Sequence, residues 1–207
     1  VIMVAIGSVM NYFLNLILYS FSKLAVAVFG AYFKVQSMAF MPVFGLNNGM
    51  IPIISYNYGA QKPDRMKRTM KLGVMVGCSI MVFCLAIMQV FPGQILKIFD
   101  ATDEMLLMGI PAVRIMSTAF IFAGFSVTCS GMFQAVGKGV YSMIVSMARQ
   151  LFVILPVAYF LSKAMNSVNG VWAAFPIAEV FSVIISTIFL LRVYKKIVKP
   201  MESVQRD

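Results

Sequence analysis

The chain has 207 residues, 61% hydrophobic and only 12% charged, with a mean hydropathy of +0.90. Soluble domains carry about a quarter charged residues, so the composition excludes a soluble globular fold and points to an integral membrane protein. The net charge of +10 is no sign of nucleic-acid binding, because the basic residues fall in short loops between apolar runs rather than on one soluble face.

Six apolar stretches approach or exceed the ~20 residues that cross ~30 Å of hydrocarbon: Val1–Ser20, Leu24–Ile54, Arg65–Phe91, Glu104–Phe133, Val140–Ser162 and Gly170–Tyr194, followed by a basic tail over residues 195–207. This predicts an all-α, polytopic membrane protein forming one transmembrane unit over residues 1–207. The first stretch opens on Val1 inside an apolar run, with no positive leader or small-residue cleavage site, and is expected to start part-way through a transmembrane helix. The second carries Lys34, Gln36, Pro42, Gly45, Asn47, Asn48, Gly49 and Pro52 and runs into a basic loop. Amides and broken backbone persist at membrane depth only against protein or a watery cavity. The third opens with Pro63 and Asp64, a proline suited to a first helical turn and an anion suited to the helix dipole. Asp103 and Glu104 serve the fourth in the same way, and the fourth also holds Pro111 and Arg114. The fifth holds Arg149 and Pro156, and the sixth Pro176 and Glu179.

Alternate loops differ sharply in charge, as they should if the helices cross. Lys62, Arg65, Lys67, Arg68, Lys71, Lys138, Arg192, Lys195, Lys196, Lys199 and Arg206 fall in one set, against Lys23, Lys97 and Lys163 in the other. The positive-inside rule then predicts a cytoplasmic C-terminus and cytoplasmic second and fourth loops.

Lys34, Arg114 and Glu179 each lie ten residues from the outer start of their span, a depth of ~15 Å at 1.5 Å per residue. They are therefore expected in one midplane layer, either as a structural salt bridge such as Glu179 with Arg114, or as a cation- or proton-handling site. With two bases to one acid, the layer calls for an acidic partner outside this chain. Arg149 is expected within snorkelling reach of the cytoplasmic surface. Trp172, Phe175, Glu179, Ser182 and Ser186 recur at helical spacing as one stripe. On the second span Lys34, Met38, Met41, Gly45, Asn48 and Pro52 share one face while Gln36, Phe40, Val43 and Asn47 share another; only one of these faces can line a given cavity. The pairs Gly45/Gly49 and Gly73/Gly77 are expected to mark close helix contact.

There is no histidine, which removes His-ligated metal sites, haem and histidine-based triads. The three cysteines, Cys78, Cys84 and Cys129, lie in apolar spans without Cys-x-x-Cys spacing and read as free buried thiols. No nucleophile–base pair or metal set marks an enzyme.

The stretch Phe40 to Arg68, with Gly45-Leu46-Asn47-Asn48-Gly49 and Asn57-Tyr58-Gly59-Ala60, closely resembles the multidrug and toxic compound extrusion (MATE) transporters. Further on, Ala112 to Ser117, Gly131 to Gly137, Arg149-Gln150 and Phe175-Pro176-Ile177-Ala178-Glu179 look like later helices of that family in their usual order. The resemblance implies a twelve-helix transporter of two six-helix lobes, with this chain as the C-terminal lobe, helices seven to twelve, and the N-terminal lobe as its missing partner. It implies export of organic cations or other xenobiotics through a central cavity in the plasma membrane, in exchange for H⁺ or Na⁺, with no other cofactor and no metal site. By analogy Lys34, Arg114 and Glu179 would lie near the cavity or ion site, with Gln36, Asn11 and Asn15 as further polar candidates, while Pro42, Gly45, Asn47, Asn48, Gly49 and Pro176 would shape packing or hinges. Acids that some members carry in their seventh and tenth helices are absent. Two other readings stand beside it: a lipid-linked oligosaccharide flippase of the same superfamily, using Lys34 and Arg114 to hold phosphate, and a non-transporting membrane assembly module.

Overall fold

The computed structural model describes residues 2–204, with side chains described for residues 5–203; Val1 and Arg206 lie outside that range. The described residues form helices only: α1 Ile2–Tyr19, α2 Lys23–Gly59, α3 Pro63–Val90, α4 Pro92–Lys97, α5 Asp103–Ser117, α6 Phe120–Ala135, α7 Gly139–Met147, α8 Leu155–Met165, α9 Asn169–Val193 and α10 Lys199–Val204. Wide π turns at Ala148–Ile154 and Tyr194–Val198 join α7 to α8 and α9 to α10.

Local chemistry sets the helix starts. Ser22 Oγ accepts from the Ala25 amide at 3.0 Å to begin α2, and Thr102 Oγ1 accepts from the Met105 amide at 3.4 Å to begin α5. Pro63 opens α3 with Asp64 beside it in the first turn. After α6 the chain turns at Gly137 with φ of 73°, a left-handed conformation that glycine adopts without a Cβ penalty.

Four continuous helices are long and apolar enough to cross a membrane: Lys23–Gly59, Pro63–Val90, Gly139–Met165 and Asn169–Ser203. The fourth expected span is broken, with α5 and α6 meeting at 50°, and counts as a fifth crossing if the pair is one span; α1 is the shorter apolar helix of the six. The helix expected to end at Tyr194 instead continues to Val204, so what was expected as a tail is largely helical.

Lipid offers no hydrophobic drive between helices, so close contact through small residues must hold them. A Cβ on Gly77 would lie 2.5 Å from Thr128 Oγ1, and one on Gly124 would lie 2.9 Å from the Cys78 backbone, so α3 and α6 cross almost backbone to backbone. A Cβ on Gly73 would strike the Met50 thioether. The other expected pair differs: Gly45 and Gly49 meet nothing within 4 Å among the described residues. They lie on the exposed side of α2, a face that sequence spacing alone does not distinguish from a packed one.

Two apolar clusters fill the bundle. One centres on Tyr32, Phe29, Trp172 and Phe175 between α2 and α9, and the other joins Met50, Ile54, Met66, Phe133, Phe189 and Met201 where α2, α6 and α9 end and α3 begins. Large apolar side chains such as Leu107, Phe83 and Phe160 cover the outside, which suits a lipid-facing surface.

Candidate functional site

Helical periodicity aims several polar stripes at one cavity of ≈ 450 Å³. Gln36, Phe40 and Asn47 on α2, Ser126, Ser130 and Gln134 on α6, and Phe175, Glu179 and Ser182 on α9 each recur at steps of three, four or seven, and all line it. From the remaining wall come Asn11 on α1, Ser142 and Ser146 on α7, and Arg149 with Gln150 on the π turn.

Arg149 Nη1 donates to Glu179 Oε1 at 2.7 Å, with the two side chains 22% and 9% exposed. They are the only charged residues on the cavity wall among the described residues, and each neutralises the other. Glu179 Oε2 is buried and has no hydrogen-bond partner, and neither has the Ser182 hydroxyl three residues along the same face nor Asn11 Oδ1. The lobe thus presents a wall without net charge, built of amides, hydroxyls and phenylalanines, with one carboxylate oxygen left over.

The π turn explains how Arg149 comes to this wall. Pro156 has no amide hydrogen and its ring crowds the carbonyl four residues back, at Phe152, so the regular hydrogen bond to that carbonyl is lost within the wide turn Ala148–Ile154. The wider turn sets Arg149 and Gln150 side by side on the cavity. The second π turn, Tyr194–Val198, precedes Pro200 by the same offset.

The ion pair suggested between Glu179 and Arg114 does not form. Glu179 pairs with Arg149, not with Arg114, and among the described residues neither Arg114 nor Lys34 forms an ion pair. Arg114 belongs to α5, and the 50° break leaves only α6 of that span facing the cavity. Lys34 is exposed on α2, off the Gln36–Phe40–Asn47 stripe. Arg149, expected to snorkel to the surface, is instead tied down by its partner.

Among the other candidates, Gln36 and Asn11 line the cavity while Asn15, one turn further along α1, does not. Asn47 and Asn48, expected to shape packing, both reach the cavity wall. Asn47 also packs: its Nδ2 donates to the Val127 carbonyl at 2.9 Å, and a Cβ on Gly131 would lie 2.8 Å from its side chain. Pro42 and Pro176 sit inside helices that continue past them. Sequence reasoning missed Gln134, whose Nε2 donates to Ser142 Oγ at 3.2 Å, and the α6 and α7 serines. Their only signal was four-residue spacing, which small-residue packing produces as well.

A family model described as MatE matches residues 1–160. The multidrug export protein MepA of Staphylococcus haemolyticus is 26% identical over 172 residues, covering 83% of this chain and 38% of the relative, so the chain spans little more than a third of that protein's length. Two solved structures, the outward-facing and inward-facing conformations of a multidrug resistance MATE family transporter of the MOP superfamily, match with TM-scores of 0.86 and 0.87 at 19% identity. They cover 96% and 98% of this chain and 44% and 46% of their own.

Proposed function

The chain belongs to the MatE family, and on that premise we propose that it forms the C-terminal lobe of a secondary multidrug efflux transporter, supplying one wall of a central substrate cavity. The observation that carries this reading is the cavity built around the Arg149–Glu179 pair, with a carboxylate oxygen and several amides free to meet a ligand. Phe33, Phe40, Phe44 and Phe175 offer rings for flat apolar xenobiotics. A partner lobe would close the other side, and alternating access would rock the two lobes around the shared cavity. That one lobe geometry matches both outward- and inward-facing structures supports such rigid rocking.

Coupling to H⁺ or Na⁺ would act through Glu179, the only carboxylate on this wall among the described residues, by favouring one of the two states. Because Arg149 already neutralises Glu179, attraction for organic cations would come chiefly from the partner lobe. The flippase reading wants a cationic wall for phosphate, and the single wall cation here is paired.

Occupancy of the cavity is tested by cysteine labelling in the full-length transporter. In a background without native cysteines, Gln36→Cys and Gln150→Cys should react with a water-soluble maleimide and be protected by an aromatic organic cation, whereas Asn15→Cys should show no protection. Equal labelling with and without the cation at both cavity positions would contradict the reading.

A further inference from the structure

At the end of the bundle where α2 finishes and α3 begins, two segments separated by most of the chain are fastened together. Lys67 Nζ lies 2.7 Å from Glu202 Oε1 on α10 and 2.9 Å from Asp64 Oδ1 on its own helix. Beside this bridge Met66 is fully buried, Met201 is 6% exposed and both belong to one apolar cluster, with Val198 also fully buried. The C-terminal helix therefore meets the start of α3 through this bridge, with Met201 in the same apolar cluster as Met66. The consequence is electrostatic: Arg65, Arg68 and Lys71 from α3 and Lys195, Lys196 and Lys199 from the C-terminal segment are all exposed around the bridge. Asp64 and Glu202, the acids at this place, are both engaged by Lys67.

The patch lies at the ends of membrane-spanning helices, where lipid headgroups meet water. Tyr56, on the last turns of α2, and Tyr194, at the head of the π turn before Lys195, are exposed beside it. Tyrosine favours this boundary because its ring is apolar and its hydroxyl is not. We propose that this end of the lobe is a docking surface for anionic lipid headgroups, assembled only when the C-terminal helix is held on α3 by the Lys67–Glu202 bridge. The membrane surface satisfies both requirements of the patch, negative charge and a flat apolar border, and exposed lysines and arginines near it each add favourable energy.

Charge counting and docking make opposite predictions for one substitution, which makes the proposal testable. Glu202→Gln raises the net charge by one but severs the bridge, while Asp64→Asn raises it equally and leaves Lys67–Glu202 in place. The full-length transporter would be purified in a zwitterionic detergent doped with equal phosphatidylglycerol and phosphatidylcholine, and retained lipid counted by native mass spectrometry. Circular dichroism would confirm helical content for each variant. The expected result is phosphatidylglycerol retained several-fold over phosphatidylcholine by the parent and by Asp64→Asn. That preference should be largely lost in Glu202→Gln and in the triple variant Lys195→Gln, Lys196→Gln, Lys199→Gln. Equal retention of the two lipids by the parent, or a preference in Glu202→Gln as strong as in Asp64→Asn, would overturn it.

Discussion

Arg149 and Glu179 are the residues on which the cavity's electrostatics turn. Removing one partner of a buried ion pair leaves the other charge without compensation, which destabilises by about 3–5 kcal/mol, whereas replacing both with apolar residues is often close to neutral. Arg149→Leu should therefore lower thermal stability markedly, and Arg149→Leu with Glu179→Leu should recover most of the loss; additive losses in the double variant would show that the two do not depend on each other. Glu179 was legible in the sequence because a carboxylate in an apolar span demands an explanation. Its partner was not, because counting residues along an ideal helix puts Arg149 near the membrane surface and takes no account of the π turn ahead of Pro156. The glycines make a similar point: Gly45/Gly49 and Gly73/Gly77 share one spacing, yet only the second pair packs against another helix among the described residues.

Among the helices, Pro42 and Pro176 were expected to shape packing or hinges, yet the sharpest break among the spans falls away from both. Pro42 and Pro52 lie inside α2, which runs unbroken from Lys23 to Gly59. The 50° break falls at Thr118–Ala119 instead, where side chains capture the carbonyls of the last turn of α5. Ser117 Oγ donates to the Arg114 carbonyl at 3.2 Å, Thr118 Oγ1 donates to that of Ile115 at 2.6 Å, and Gln89 Nε2 on α3 donates to both the Arg114 carbonyl and Ser117 Oγ. Amides there turn to carbonyls three residues back, as Ala119 does to Met116 at 3.2 Å. Gln89→Leu with Thr118→Val should straighten the pair, lengthening the distance between spin labels at positions 107 and 134 relative to an otherwise identical parent. An unchanged distance would mean that packing, not these hydrogen bonds, sets the bend. No sequence period reveals such a break, because it depends on a glutamine from another helix.

At the scale of the whole molecule, membrane class, helical architecture and family were all legible, since each rests on long patterns: apolar runs, loop charge and ordered motifs. The cavity was only half legible. Gln36, Asn11 and Glu179 reach it, while Lys34, Arg114 and Asn15 do not, because reaching it depends on how α5 turns away and which face α2 presents. A transport cavity organised by Glu179 requires this carboxylate for coupled flux. The most direct measurement is efflux of an organic cation, with counter-ion flux, by the full-length transporter in proteoliposomes, comparing the parent with Glu179→Gln and Lys34→Gln. Compared at equal amounts of folded protein, because Arg149 loses its partner, Glu179→Gln should abolish both fluxes and Lys34→Gln should leave them near the parental level. Undiminished coupled efflux in Glu179→Gln would show that Glu179 does not organise transport.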